Sequence, residues 1–198
     1  MFLTPRIEQA IVRATVLHHS QKRKVSGVPY IVHPYGVAFL LAHYTDDEDV
    51  IIAGLLHDVL EDVPEYTEAM LQAEFGERVF RIVKEVTEDY LQGGKGKSLS
   101  QDSAAWRSRK AGYVDNLKND SEEALLVATA DKIHNMRGLI DEYRVYGESV
   151  WEMFRRPGTD LLWFYQLAAE AITERLKHPL VDEMQRILAD FEAIVVKE

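Results

Sequence analysis

The sequence predicts an all-α fold. Three observations carry that expectation. Apolar residues recur at helical spacing through most of the chain, capping residues, proline or glycine bound the segments, and no run alternates apolar and polar residues as a half-buried strand would. Thr4-Pro5 opens the first helix, with proline at the favoured first position, and Ile7, Ile11, Ala14 and Leu17 repeat along one face. Gln21 to Pro29 is polar, holds Gly27 and Pro29, and reads as a loop. Pro34 opens a second helix carrying Val37, Ala38, Leu40 and Leu41. Asp46 to Asp49 supply a cap and an acidic first turn for a third helix, expected to run to about Leu60. It is apolar nearly all round and so belongs in the core. Pro64 ends that segment, and two short helices follow, split by Gly76. Gln92 to Ser103, rich in Gly, Ser and Lys, is the one clear long loop. A helix from about Ala104 to Leu117 comes next, and Ser121 caps another that runs to about Ile140. Pro157-Gly158 marks a break, and two helices divided at His178-Pro179 finish the chain. Residues 1–198 are expected to form one domain.

Composition narrows the function classes. Apolar residues make up 46% of the 198 and charged residues 28%, as in ordinary globular proteins. No stretch approaches a membrane span, and Thr4, Pro5, Arg6, Glu8 and Arg13 interrupt any leader-like start, so a cytoplasmic protein without a membrane partner is expected. The absence of cysteine excludes disulfides, thiolate zinc sites and cysteine nucleophiles, so any metal must be held through nitrogen and oxygen. A net charge of −10 argues against general nucleic-acid binding. A small anionic substrate remains compatible with it, because the local clusters Lys22-Arg23-Lys24 and Arg107, Arg109, Lys110 can outweigh the global field at close range. Each cluster, taken alone, reads equally as a solvated surface run.

The chemistry-bearing residues are those that interrupt apolar helices. His57-Asp58 follows Ile51-Ile52-Ala53-Gly54-Leu55-Leu56, and burying two ionisable groups without a partner is costly; a metal ion is one good partner. Glu61 and Asp62 stand four residues on from that pair and would share its helix face if the helix persists. His33 stands at a loop-to-helix junction in Tyr30-Ile31-Val32-His33-Pro34, and Asp131 lies in an otherwise apolar helical stretch with Asn135 four residues on. In isolation His33 reads equally as a capping or core histidine, and Asp131 as the partner of Lys132 or of another helix's cation.

The segments QKRKVSGVPYIVHP, AGLLHDVLEDV, FGERVFRIVKEVTED, WRSRK and ATADKIHNMRGL, in this order and spacing over roughly Ile7 to Ile140, resemble the HD-domain superfamily. Within it they are most similar to the alarmone hydrolases: the small (p)ppGpp hydrolases and the hydrolase domain of the RelA/SpoT-type stringent-response enzymes. The resemblance implies a compact helical HD-domain fold. It also implies one divalent metal ion, usually manganese, held by His33, His57, Asp58 and Asp131. Nitrogen and carboxylate donors without thiolate suit that ion. Glu61 and Asp62 match the family's catalytic acidic pair, one acting on the attacking water and the other on the leaving oxygen. Arg23 and Lys24 match its basic pair, Tyr30 and Asn135 match residues near the nucleotide, and Arg107, Arg109 and Lys110 lie where it carries cations after the long loop. The implied activity is metal-dependent hydrolysis of the 3′-diphosphate of (p)ppGpp-type alarmones, releasing pyrophosphate and GDP or GTP. The chain is too short to add the synthetase domain of the long enzymes, so hydrolysis alone is expected.

The chain departs from the family pattern at the substrate mouth. The stretch between Lys24 and Pro29 is one residue longer, Val28 stands where Glu is frequent, and the Gln92 to Ser103 loop diverges. Alternatives therefore stay open at this level: an adenosine alarmone, another nucleoside mono- or triphosphate, or a non-catalytic binding partner that keeps the metal for structure. Trp151 and Trp163-Phe164-Tyr165 could stack on a purine, but at helical spacing they read as core. An oligomer is compatible with the sequence, which specifies none.

Overall fold

The computed structural model describes residues 3–88 and 103–196. Local sequence chemistry sets where the helices begin. The Thr4 hydroxyl accepts from the Ile7 N–H to start α1 (Pro5–Leu17). α2 (Val32–Tyr44) begins two residues before Pro34. The Asp47 carboxylate accepts from the Asp49 and Val50 N–H groups and caps α3 (Glu48–Leu56). The chain turns at His57 and Asp58 and re-forms as the one-turn α4 (Val59–Asp62). Gly76, at a φ of 88° that favours glycine, ends α5 (Glu68–Phe75) and starts α6 (Glu77–Val86). α7 (Ser103–Leu117) precedes α8 (Glu122–Tyr146), which the Ser121 hydroxyl caps by accepting from the Ala124 N–H. The short α9 (Ser149–Phe154) leads to α10 (Gly158–Arg175) and α11 (Pro179–Val195), the last capped by His178.

Three differences from the sequence reading have physical causes. The third helix does not reach Leu60: the His57 ring hydrogen-bonds back to the Gly54 carbonyl at 2.8 Å, and Asp58 sits at φ −94°, ψ −4° as the cap of α4. Apolar periodicity is blind to such a break. The helix capped at Ser121 runs on to Tyr146 until Gly147, at φ 60°, ends it. α9 is six residues long and carries too little periodicity to be read. Most of the Gln92 to Ser103 loop lies outside the described residues.

α3 fills the centre: every residue from Val50 to Leu56 is buried. It packs against α1, α2, α6 and α8, while α8 also meets α2, α6, α9, α10 and α11. Two glycines let α2 lie close to its neighbours. A side chain at Gly54 would meet Leu41, and one at Gly36 would meet the His134 ring. The second approach brings the start of α2, the α3–α4 turn and the middle of α8 to one point. Among the described residues no helix is long and apolar enough to cross a membrane.

Candidate active site

Three chain segments meet at that point. His33 lies in the first turn of α2, His57 and Asp58 in the turn before α4, and Asp131 in the middle of α8. Nε2 of His33 and Nε2 of His57 face each other at 3.2 Å. Asp58 Oδ2 lies 3.1 Å from His57 Nε2 and 3.6 Å from His33 Nε2. Asp131 Oδ1 lies 3.1 Å from His33 Nε2 and 3.7 Å from His57 Nε2. His33, His57 and Asp58 offer donor atoms all within 4.8 Å of one another, a group able to hold a metal ion.

The surroundings aim these donors. His57 Nδ1 donates to the Gly54 carbonyl, which fixes the ring so that Nε2 faces the cluster. His33 Nδ1 is 2.9 Å from Nδ1 of His134, whose ring lies against Gly36. Burial, with neighbouring cationic groups, pushes His134 down to about 4, so it is neutral near pH 7. The Tyr30 hydroxyl donates to Asp58 Oδ2 at 2.5 Å. Lys132 Nζ and the Asn135 amide donate to Asp131 at 2.5 and 2.6 Å. The Asp131–Lys132 pair weighed from the sequence thus forms through Oδ2, while Oδ1 faces the histidines. Burial opposes charge on both carboxylates, but His57 beside Asp58 and Lys132 beside Asp131 hold both below the ordinary range.

The cluster floors a cleft of about 1270 Å³. Every residue singled out for metal, catalysis or substrate lines it, except Arg107. Arg107 turns instead to the buried Asp160, its Nε and Nη2 donating at 2.9 and 2.5 Å. Glu61 Oε1 accepts from the Glu88 N–H at 2.6 Å. Burial and the charge of Asp58 push Glu61 up to about 8. Asp62 stands at the mouth, where desolvation and Asp58 raise it to about 6. Arg23 donates to the Asn135 oxygen at 3.1 Å, and Lys24 Nζ lies 5.0 Å from the centre of the Phe154 ring. Arg109 and Lys110 both reach Glu88, at 2.8 and 2.7 Å. Phe164 and Tyr165 are core residues whose rings also wall the cleft; Trp151 packs between Tyr143 and Phe191.

Sequence reasoning missed Glu88 and His134, and weighed Lys132 only as an alternative to a metal role for Asp131. Glu88 ties two of the expected substrate cations to Glu61 of α4, His134 backs His33, and Lys132 holds Asp131 with its ammonium over the Tyr113 ring. The available signal was their placement within the motifs EVTED and ADKIHN.

A family described as the HD domain matches residues 10–154. The chain belongs to the HD domain family. Relatives of this HD domain include the guanosine-3′,5′-bis(diphosphate) 3′-pyrophosphohydrolase MESH1 of Danio rerio, 42% identical over 125 residues, or 62% of each chain. The Haemophilus influenzae guanosine-3′,5′-bis(diphosphate) 3′-pyrophosphohydrolase is 35% identical over 127 residues, 61% of this chain and 17% of that protein. The chain thus spans a minor part of the long relatives and just under two thirds of the short ones. In three dimensions the HD domain is similar to a metazoan ortholog of SpoT described as hydrolysing ppGpp, with a TM-score of 0.75 and 26% identity over 96% of this chain and 97% of that one. It is also similar to lmo0812 from Listeria monocytogenes, with a TM-score of 0.68 and 30% identity over 83% of this chain and 99% of that one.

Proposed function

We propose that the chain hydrolyses the 3′-diphosphate of (p)ppGpp-type alarmones, releasing pyrophosphate and GDP or GTP, with one manganese ion held by His33, His57, Asp58 and Asp131. The observation that carries the reading is the convergence of two imidazole Nε2 atoms and two carboxylate oxygens at the floor of a cation-bearing cleft. Two nitrogens and two hard oxygens, with no thiolate, fit such an ion. When bound, it would polarise a phosphoryl oxygen and make water more acidic.

The protein's own groups perform the rest. The two acidic residues differ in proton affinity, with Asp62 at about 6 and Glu61 at about 8. Asp62 is the group suited to take a proton from the attacking water, and Glu61 the one suited to deliver a proton to the leaving ribose 3′ oxygen. The water oxygen bonds to the phosphorus attached to that oxygen, and the P–O3′ bond breaks. Arg23, Lys24, Arg109 and Lys110 draw in and orient the phosphates, in a chain whose net charge of −10 would otherwise repel them. Tyr30 and Asn135 hold Asp58 and Asp131 in place beside the nucleotide.

The test is product analysis. Purified protein is incubated with manganese and ppGpp, and in parallel with an adenosine alarmone, a nucleoside monophosphate and a nucleoside triphosphate; products are resolved by anion exchange. GDP and pyrophosphate from ppGpp, abolished by EDTA, support the reading. Turnover of the mono- or triphosphate with ppGpp left intact overturns it.

A further inference from the structure

A strap of two side chains joins the end of α1 to the catalytic turn. His18, the residue that ends α1, is fully buried. Its Nδ1 lies 2.7 Å from Gln21 Oε1, and Gln21 Nε2 donates to the main-chain carbonyl of Asp62 at 3.0 Å. Since the Gln21 amide nitrogen serves Asp62, the amide oxygen is the acceptor from His18 and Nδ1 carries a proton, while burial favours the neutral ring. Nε2 of the same ring is buried with no partner among the described residues. The ring packs tilted against Tyr30, centroids 5.2 Å apart, and Tyr30 is the donor to Asp58. Main-chain bonds close the frame: the Gln21 N–H donates to His18 O at 3.0 Å and the Tyr30 N–H to Gln21 O at 2.9 Å.

Packing alone gives no reason to keep a buried histidine with an unpaired nitrogen here, since an apolar side chain would fill the space without that cost. α4 is a single turn and cannot hold its own geometry, because one turn of helix fixes many torsions for few hydrogen bonds. Its last carbonyl, that of Asp62, is the atom the strap grips. We propose that His18 and Gln21 are positioning residues that hold the Asp62 main chain, and with it the Glu61 and Asp62 carboxylates, in register with the metal-binding cluster. The inference rests on the hydrolase reading for its kinetic consequence but on the hydrogen bonds alone for its structural one.

The test compares Gln21→Met, which removes both amide bonds at a half-exposed position, with His18→Leu and His18→Asn, the last keeping a donor near Nδ1. Gln21→Met and His18→Leu are expected to lower kcat for ppGpp about tenfold while KM and manganese affinity stay within about twofold, and His18→Asn to recover most of the loss. Wild-type kcat in Gln21→Met, or equal loss in His18→Asn and His18→Leu, overturns the proposal. Nitrogen NMR supplies a readout free of activity. His18 should be the neutral Nδ1–H tautomer at neutral pH, and Gln21→Met should move the Asp62 and Val63 amide resonances. A protonated or Nε2–H His18, or unmoved amides, contradicts the strap. If wild-type protein leaves ppGpp intact, the hydrolase reading fails while these spectra still decide the positioning.

Discussion

Asp58 accepts from the Tyr30 hydroxyl and faces both His57 and His33, so its carboxylate is ionised and fixed before any ligand arrives. Asp58→Ala is expected to abolish hydrolysis and weaken manganese binding by at least on the order of 100-fold, read by calorimetry; unchanged metal affinity would remove Asp58 from the ligand set. Glu61 is different in kind, being held by the Glu88 N–H rather than by the histidines. Glu61→Gln keeps that acceptor, so manganese binding should survive while kcat falls by about 10² to 10⁴. The sequence pointed to these residues because ionisable side chains interrupt apolar helices at His57-Asp58 and Asp131 and because the surrounding motifs match a family. It could not show what Glu88 or His18 does, because their roles depend on Arg109, Lys110 and Asp62, partners 21, 22 and more than forty positions away. Arg107 matched the basic cluster in sequence, yet Asp160, 53 positions on, draws it aside.

Helix caps and glycines decide how the elements bring those residues together. Thr4, Asp47, Ser121 and Pro179 announced helix starts that the structure keeps, because capping is local chemistry. The break at His57 was hidden because it comes from a side chain bonding back to Gly54 O. Gly36 exists for the approach of α8: a methyl there runs into the His134 ring. Gly36→Ala should cost about 1–3 kcal/mol of stability and also weaken manganese binding by displacing the ring behind His33. Calorimetry on the variant checks both; loss of stability with unchanged metal affinity would show that His134 does not aim His33. The α7–α8 connection carries a pH-dependent weakness. Asp120 Oδ2 is buried without a hydrogen-bond partner among the described residues, and burial with nearby Glu85 raises its carboxyl to about 7. A raised carboxyl is neutral in the folded chain and ionised in the unfolded one between pH about 4 and 7, so folding is penalised progressively as pH rises and the full cost is present above 7. Asp120→Asn should therefore be more stable than wild type at pH 8 by on the order of 1–2 kcal/mol, read as a higher melting temperature, and match it near pH 4. Equal melting at both pH values would contradict this.

At the scale of the whole molecule, a chain of net charge −10 gathers Arg23, Lys24, Arg109 and Lys110 around one cleft. Crowding shows in Lys24, whose pKa is lowered by desolvation and by Lys110. Attraction confined to one cleft is screened by salt, so KM for ppGpp should rise with ionic strength while kcat holds; a salt-independent KM would mean that these cations do not steer substrate. The all-helical architecture was legible because helical periodicity and caps repeat through the chain, whereas the convergence of α2, the α3–α4 turn and α8 depends on contacts across a hundred residues. That convergence is what makes metal and hydrolysis one question. The most direct test is to strip the protein of metal, titrate it with manganese and follow ppGpp turnover at each step. Activity should rise linearly to one ion per chain and then stay flat, with Asp131→Ala silent throughout; full turnover in the stripped protein would contradict a metal-dependent centre at His33, His57, Asp58 and Asp131.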